Sequence, residues 1–174
     1  YPVLPTLKAT LFLLYYNLIE SIMHSAFQAL FDTIASEGHT FDTLSHTVQK
    51  AYENLEIKNG VGSDQILKWA SEKYSTSIKL FSGNLDARSI RELMNKWGIA
   101  TDFHVDGEKK LLDIKTHRNA LAHGERAFND VGRGYTMRDM EQYLESTYAY
   151  LSNLIQTFNL FIESKSYLAT ANYN

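Results

Sequence analysis

Cysteine is absent from the 174 residues, and proline occurs only twice, at Pro2 and Pro5. The missing cysteine excludes a disulfide framework, a thiolate metal site and a cysteine nucleophile. It also fits a cytoplasmic protein. With no proline after Pro5, nothing later in the chain forbids helix. A basic surplus is missing as well: 17 Lys and Arg stand against 20 Asp and Glu, for a net charge of −3. Residues 1–60 hold three basic and six acidic side chains, and the remainder holds fourteen of each. A polycationic nucleic-acid surface is therefore excluded, and any RNA contact has to be local, confined to a cleft. The most apolar stretch, Leu11 to Ile19, is interrupted by Asn17 and followed by Glu20. It falls far short of the roughly 20 residues that span a bilayer, so it reads as a buried helix and no membrane contact is expected. The chain begins at Tyr1 and not at a methionine, which leaves a targeting segment ahead of it open. A Gly-rich phosphate loop is lacking. His39 and His46 stand seven residues apart without an acidic partner pattern, so no metal and no cofactor is expected. Gly132-Arg133-Gly134 reads as a turn.

What remains is the composition of an ordinary soluble protein, 44% hydrophobic and 21% charged. Its length suits a single domain over residues 1–174, long enough to bury a core. Helical periodicity recurs throughout, and no clean alternation marks a strand. The first helix is expected from Thr6 to before Gly38, a C-cap glycine. Leu7, Leu11, Leu14, Leu18, Ile22, Ser25 and Ala29 fall on one face at about 100° per residue. Phe12, Ile19, Met23, Ala26 and Leu30 widen it, and a helix so apolar all round is expected to be buried. Asn17, Glu20, His24 and Gln28 occupy the narrow remainder.

A short helix is expected within Phe41 to Tyr52. A turn follows at Asn59 to Gly62, and Ser63 caps a helix to about Phe81, which Ser82-Gly83-Asn84 breaks. Further helices are expected from Asp86 to Trp97 and from about Gly107 into Lys115–Gly124. Thr136 with Asp139 forms a capping box, and apolar residues then repeat to Phe161. The fold class is all-α: a helical bundle with a long antiparallel helix pair, the terminal helices packed lengthwise, and shorter helices between.

The informative segment is His117-Arg118-Asn119-Ala120-Leu121-Ala122-His123-Gly124. Arg118 falls between Ile114 and Leu121 on the apolar side of its helix, where an arginine is costly unless it is paired or faces a cleft. One reading makes it a snorkelling or salt-bridged residue, with Glu20 as partner, and His123 a polar helix end. The other makes both functional. His123 lies about 140° round the helix from Arg118, so the two converge only if the helix loosens near Gly124 or if a second copy contributes.

Arg118-Asn119-Ala120-Leu121-Ala122-His123 resembles the HEPN superfamily signature, Arg-x(4–6)-His with a polar residue after the Arg. Tyr16 to Ser21 is similar to the first helix of the MAE-like bacterial HEPN group. Ser82 to Glu92 resembles its middle segment, and Arg133 to Thr136 the lead into its last helix; Phe41 to Tyr74 matches nothing closely. The resemblance implies a homodimer whose two motifs face one cleft. It further implies a metal-independent endoribonuclease, a toxin or defence protein with RNA as substrate and an antitoxin or other defence protein as partner. Some members of the family are instead silent modules that bind a nucleotide, RNA or protein. The catalytic residues carried over are Arg118 and His123, with Asn119 orienting the histidine or holding a phosphate oxygen.

The chemistry is sound in itself. A histidine can move the protons of a 2′-OH attack and an arginine fork suits the phosphorane. Arg88, Arg91 and His117 are candidate RNA contacts. Asp86 and Glu92 make an ion-paired face an equal reading for the two arginines, and His117 also reads as a surface residue. Asn17 and Glu20 either support the cleft or form a solvated edge. The aromatics Tyr143, Tyr148, Phe158 and Phe161 read as core.

Overall fold

The computed structural model describes residues 3–81, 83–101 and 107–169. Among them are seven α-helices: α1 (Val3–Ser36), α2 (His46–Asn59), α3 (Ser63–Ser77), α4 (Ala87–Lys96), α5 (Glu108–Ala122), α6 (Phe128–Arg133) and α7 (Met137–Glu163). A short 3-10 turn, Phe41–Thr43, precedes α2. The described residues contain no strand, only an isolated bridge between Leu44 and Leu168. The fold is all-α, as the periodicity indicates. Two compact units are formed. The first comprises Tyr1–Ile22, Gly83–Ile90 and Phe103–Leu154, and the second Met23–Ser82, Arg91–Asp102 and Ile155–Asn174.

In the first unit α1 starts at Val3, with Pro5 inside its first turn, where no intrahelical N–H is lost. The Lys8 ammonium donates to the Tyr135 carbonyl, and the Tyr15 hydroxyl to the Met140 carbonyl at 3.0 Å. The Phe12 ring meets Tyr143 edge-on at 5.2 Å. Here α1 and α7 advance in the same direction.

α5 runs the opposite way. Lys110 reaches the Gln142 carbonyl at 3.1 Å, Asp113 accepts from the Tyr143 hydroxyl at 3.2 Å, and His117 meets Tyr135, just before α7, at 2.6 Å. The antiparallel pair is thus α5 with α7, and the two terminal helices are parallel. A helical wheel shows which face is apolar but carries no direction; the number of chain reversals between two helices sets that. The capping box at α7 forms as expected: the Asp139 N–H donates to Thr136 Oγ1 at 3.1 Å, and the Thr136 N–H to Asp139 Oδ2 at 2.6 Å.

In the second unit an aromatic cluster fills the core. Phe31 packs on Trp97 and on Tyr74 at 5.1 Å each, Tyr52 meets Trp97 at 5.1 Å, and Phe27 meets Phe158 at 5.1 Å. Gly38, at φ +71°, ends α1. Beside it the Glu37 carboxylate accepts from Tyr167 at 2.6 Å and Lys165 at 3.0 Å, and meets His39 at 2.8 Å. These bonds, Tyr167's first, hold the Glu37 carboxyl down to about 2.

Several expectations are corrected. α2 begins at His46, because the chain first makes the 3-10 turn at Phe41. Ser63 does not cap α3; Gly62 is the N-cap and no side chain bonds there. α3 ends at Ser77, short of Phe81; of the expected break, Gly83 and Asn84 are non-helical and Ser82 lies outside the described residues. Tyr148 is 71% exposed, whereas Tyr143, Phe158 and Phe161 are core.

The largest correction concerns α1. Its Phe12, Ile19 and Met23 face is fully buried, but Leu4, Leu7, Leu14 and Leu18 are exposed, Leu7 at 57% and Leu14 at 55%. A wheel apolar all round does not say which part its own chain covers.

Gly132-Arg133-Gly134, read as a turn, belongs partly to helix α6, which the sequence reading lacks. Gly132 is required there. A Cβ on it would stand 1.8 Å from the Pro5 carbonyl oxygen and 2.5 Å from the Pro5 carbonyl carbon. The obstacle is backbone, which cannot rotate away. Gly132→Ala is expected to cost about 1–3 kcal/mol of stability or more, read by urea unfolding. A loss below about 0.5 kcal/mol contradicts this close packing.

Candidate functional site

The site lies in the first unit and is built around the last turns of α5. Arg118 is half-buried, with its guanidinium carbon 4.4 Å above the centroid of the Tyr16 ring of α1. This cation–π contact supports the cation without neutralising it. Nη1 donates to Asn119 Oδ1 at 2.9 Å and more weakly to the Gly83 carbonyl at 3.4 Å. Asn119 in turn donates through Nδ2 to Asn84 Oδ1 at 2.9 Å. Asn119 therefore fastens the arginine to the turn before α4; it makes no side-chain bond to His123 among the described residues.

Gly83, at φ +62°, is flanked by both charges: its Cβ position would lie 3.8 Å from Glu20 Oε1 and 3.9 Å from Arg118 Nη2. Among the described residues no ion pair neutralises Arg118. Among the described residues the salt-bridged reading of Arg118 with Glu20 is not the one realised, and the bonds seen from the guanidinium leave through Nη1.

Tyr16 is the residue the sequence reading missed. It is fully buried and sits on the core side of α1, so the helical wheel hides it among ordinary apolar positions. Its hydroxyl accepts the Leu85 N–H at 3.0 Å. Burial first, and then the Glu20 carboxylate, push it up to about 12, against the opposing pull of Leu85 and Arg118. It stays protonated and serves as a platform. Gly83 and Asn84 were also missed, since their role lies in a turn fixed only by tertiary contact.

His123 is the C-cap of α5, exposed and still in the helical region at φ −88° and ψ 0°, its N–H bonded to the Asn119 carbonyl at 2.9 Å. Gly124, at φ +70°, then reverses the chain. The Gly124 N–H reaches the Leu121 carbonyl at 3.2 Å and the Glu125 N–H the Ala120 carbonyl at 2.9 Å, a Schellman closure. The helix does not loosen before His123. Among the described residues, no contact joins the His123 side chain to Arg118.

The other candidates fall elsewhere. His117 is not at the surface but half-buried, its ring 4.6 Å from Phe12 and its Nε2 2.6 Å from the Tyr135 hydroxyl. Its position on α5 faces α1, which the sequence alone does not reveal. Asn17 is exposed and Glu20 half-buried, the latter beside Gly83. Arg88 is exposed and Arg91 half-buried in the second unit; each has an interaction of its own. Lys115 pairs with Asp86, the cap of α4, where Asp86 Oδ1 accepts the Ser89 N–H at 2.9 Å. Among the described residues no group of three His, Asp or Glu is placed to hold a metal. None of the described helices is long and apolar enough to cross a membrane.

The segment from Arg118 to His123 lies inside the stretch that a comparison with protein families covers. The model of the MAE_28990-like HEPN family matches residues 4–167. The chain is a HEPN protein of that family. No curated protein and no solved structure matches it. In this HEPN chain the signature occupies the last turn of α5 and its C-cap, and the family's first-helix segment supplies Tyr16.

His117 generates a pH prediction. Burial first, and Arg126 next, lower its affinity for a proton, with Asp113 opposing. Its contribution to stability is full above about 6.5, the unfolded value, and is lost as pH falls through that value toward the lower folded one. The melting temperature is expected to fall between about pH 7.5 and 5, and His117→Phe to flatten that slope. An unchanged slope in the variant contradicts the assignment.

Proposed function

We propose that this HEPN chain acts as a single domain, a metal-independent endoribonuclease of a toxin or phage- and mobile-element-defence system, with its site shared between two copies. The observation that carries the reading is Arg118: a cation fixed over Tyr16 and held by Asn119, yet paired with no carboxylate among the described residues. A purely structural arginine at this depth would normally be neutralised.

In the proposed reaction Arg118 binds the scissile phosphate through Nη2 and Nε. His123 of the second copy accepts the proton of the 2′-OH, the 2′-oxygen attacks phosphorus, and the same imidazolium returns that proton to the leaving 5′-oxygen; the products are a 2′,3′-cyclic phosphate and a 5′-OH. Asn119 is a positioning residue, and Glu20 and Asn17 edge the cleft. RNA is the substrate, and an antitoxin or other defence protein is the regulating partner.

Support for a second copy comes from the exposed stripe on α1. The exposed Leu4, Leu7, Leu14 and Leu18, with the half-buried Leu11 among them, follow alternate steps of three and four, the spacing of a helix–helix seam. A two-fold axis along such a seam makes one patch self-complementary.

The purified chain is expected to cleave single-stranded RNA in EDTA. Arg118→Ala and His123→Ala should each lower cleavage by about two orders of magnitude or more while the helical circular dichroism stays intact. Activity lost in EDTA and rescued by Mg²⁺, or retained by either variant, contradicts the mechanism. A chain inactive on every RNA tested, yet binding it, points to the silent module instead. The seam has its own test. Leu7→Glu/Leu14→Glu should convert a dimer to a folded monomer by light scattering and abolish cleavage. A dimer that persists unchanged removes the seam from the account.

A further inference from the structure

The second unit contains a cavity of about 520 Å³ that the nuclease reading does not use. His24, Gln28 and Tyr74 wall it together with Asp32, and the small Ser25 and Ala29 leave room between them. The volume is in the range that holds a small-molecule ligand. Its walls are aromatic on one side. His24 stands 4.5 Å from the Phe81 ring and 5.6 Å from the Tyr74 ring, centroid to centroid, tilted at 46° and 49°. A planar heterocycle can stack on such faces.

The polar side is selective in one direction. Gln28 Nε2 donates to Asp32 Oδ1 at 2.8 Å and to the Ser71 carbonyl at 3.0 Å, which consumes both of its N–H groups. Ser71 Oγ donates to the same Asp32 Oδ1. What Gln28 and Asp32 still offer is Oε1 and Oδ2, two acceptors and no donor. A ligand that fits must present adjacent N–H donors on a flat ring. Among the nucleobases this is the guanine edge, N1–H beside the 2-amino group. Adenine and cytosine place a ring acceptor beside their single amine, and uracil has one N–H between two carbonyls.

We propose that this cavity is a guanine-binding site, with Asp32 Oδ2 accepting from N1–H, Gln28 Oε1 accepting from the 2-amino group, and His24 stacking on the base. The guanine belongs either to a free nucleotide or to a residue of single-stranded RNA; the chemistry is the same. The proposal stands on the cavity alone and does not require the chain to cleave RNA.

The test is titration of the full chain with GMP, IMP, AMP and UMP, followed by calorimetry and by the His24 ring signals in NMR. GMP should bind with the His24 signals shifting. IMP, lacking the 2-amino group, should bind roughly tenfold more weakly, and AMP and UMP more weakly still. Asp32→Asn keeps the carbonyl oxygen that Ser71 and Gln28 need and removes the charge; it should lower GMP affinity roughly tenfold or more. Ser25→Trp, at an exposed position, should fill the space and abolish binding. GMP binding is read without any cleavage step, so failure of the nuclease reading and failure of this one are separable. A trinucleotide ApGpA that binds where GMP does not assigns the site to RNA, and binding of both assigns it to the base itself. Equal binding of GMP, IMP and AMP, no binding of any of these ligands, or GMP binding untouched by Asp32→Asn and Ser25→Trp overturns the proposal. So does equal competition by the guanidinium compound agmatine, which makes the cavity a cation site.

Discussion

The guanidinium of Arg118 rests on the face of Tyr16, and the arrangement of the first unit follows from keeping it there charged. A carboxylate in ion-pair contact would hold it more tightly and would also cancel the charge that an anionic ligand needs. The ring gives about 0.5–2 kcal/mol and takes up none of the N–H donors. Tyr16 can do this only if its hydroxyl is satisfied inside the core, and the Leu85 N–H does so. Leu85 lies next to Asn84 in the turn that Asn119 grips. That turn is placed by the Asp86 cap of α4, which Lys115 ties back to α5. One helix thus carries the arginine and anchors the turn that borders it.

The same helix decides where His123 stands. Because α5 stays regular to its C-cap and then closes on Gly124, the histidine is held at the helix end, exposed, about 140° round from Arg118. A looser end would let one chain bring both groups together at the cost of their positions. With a rigid end, the proposed shared site takes the complementary group from a second copy, which ties the uncovered leucine stripe of α1 to the proposed chemistry.

The all-α class was legible because no proline interrupts the chain after Pro5 and the periodicity persists. The α7 start was legible to the residue, since a capping box is a local interaction. The helix that carries Arg118 and ends at His123 was legible from its apolar positions Leu111, Ile114 and Leu121. Tyr16 was not, because a tyrosine on an apolar face looks like any core residue until the arginine above it is seen. His117 was misread as surface for the converse reason: its neighbours Phe12 and Tyr135 are far away in sequence. The sense of the α1 and α7 pairing and the existence of α6 depend on the Gly132–Pro5 approach and on chain reversals, which no periodicity encodes. The α1 leucines were read correctly as a stripe and wrongly as covered, since amphipathicity does not say whether the partner is the same chain.

In the proposed site, Arg118 of one copy and His123 of another serve one phosphate. Mixing refolded Arg118→Ala and His123→Ala chains tests it most directly. Half of the resulting dimers are heterodimers, each with one complete site in trans. Cleavage should recover to about a quarter of the native rate from two parents that are nearly inactive. A mixture as inactive as its parents, with heterodimers shown to form, contradicts the shared site.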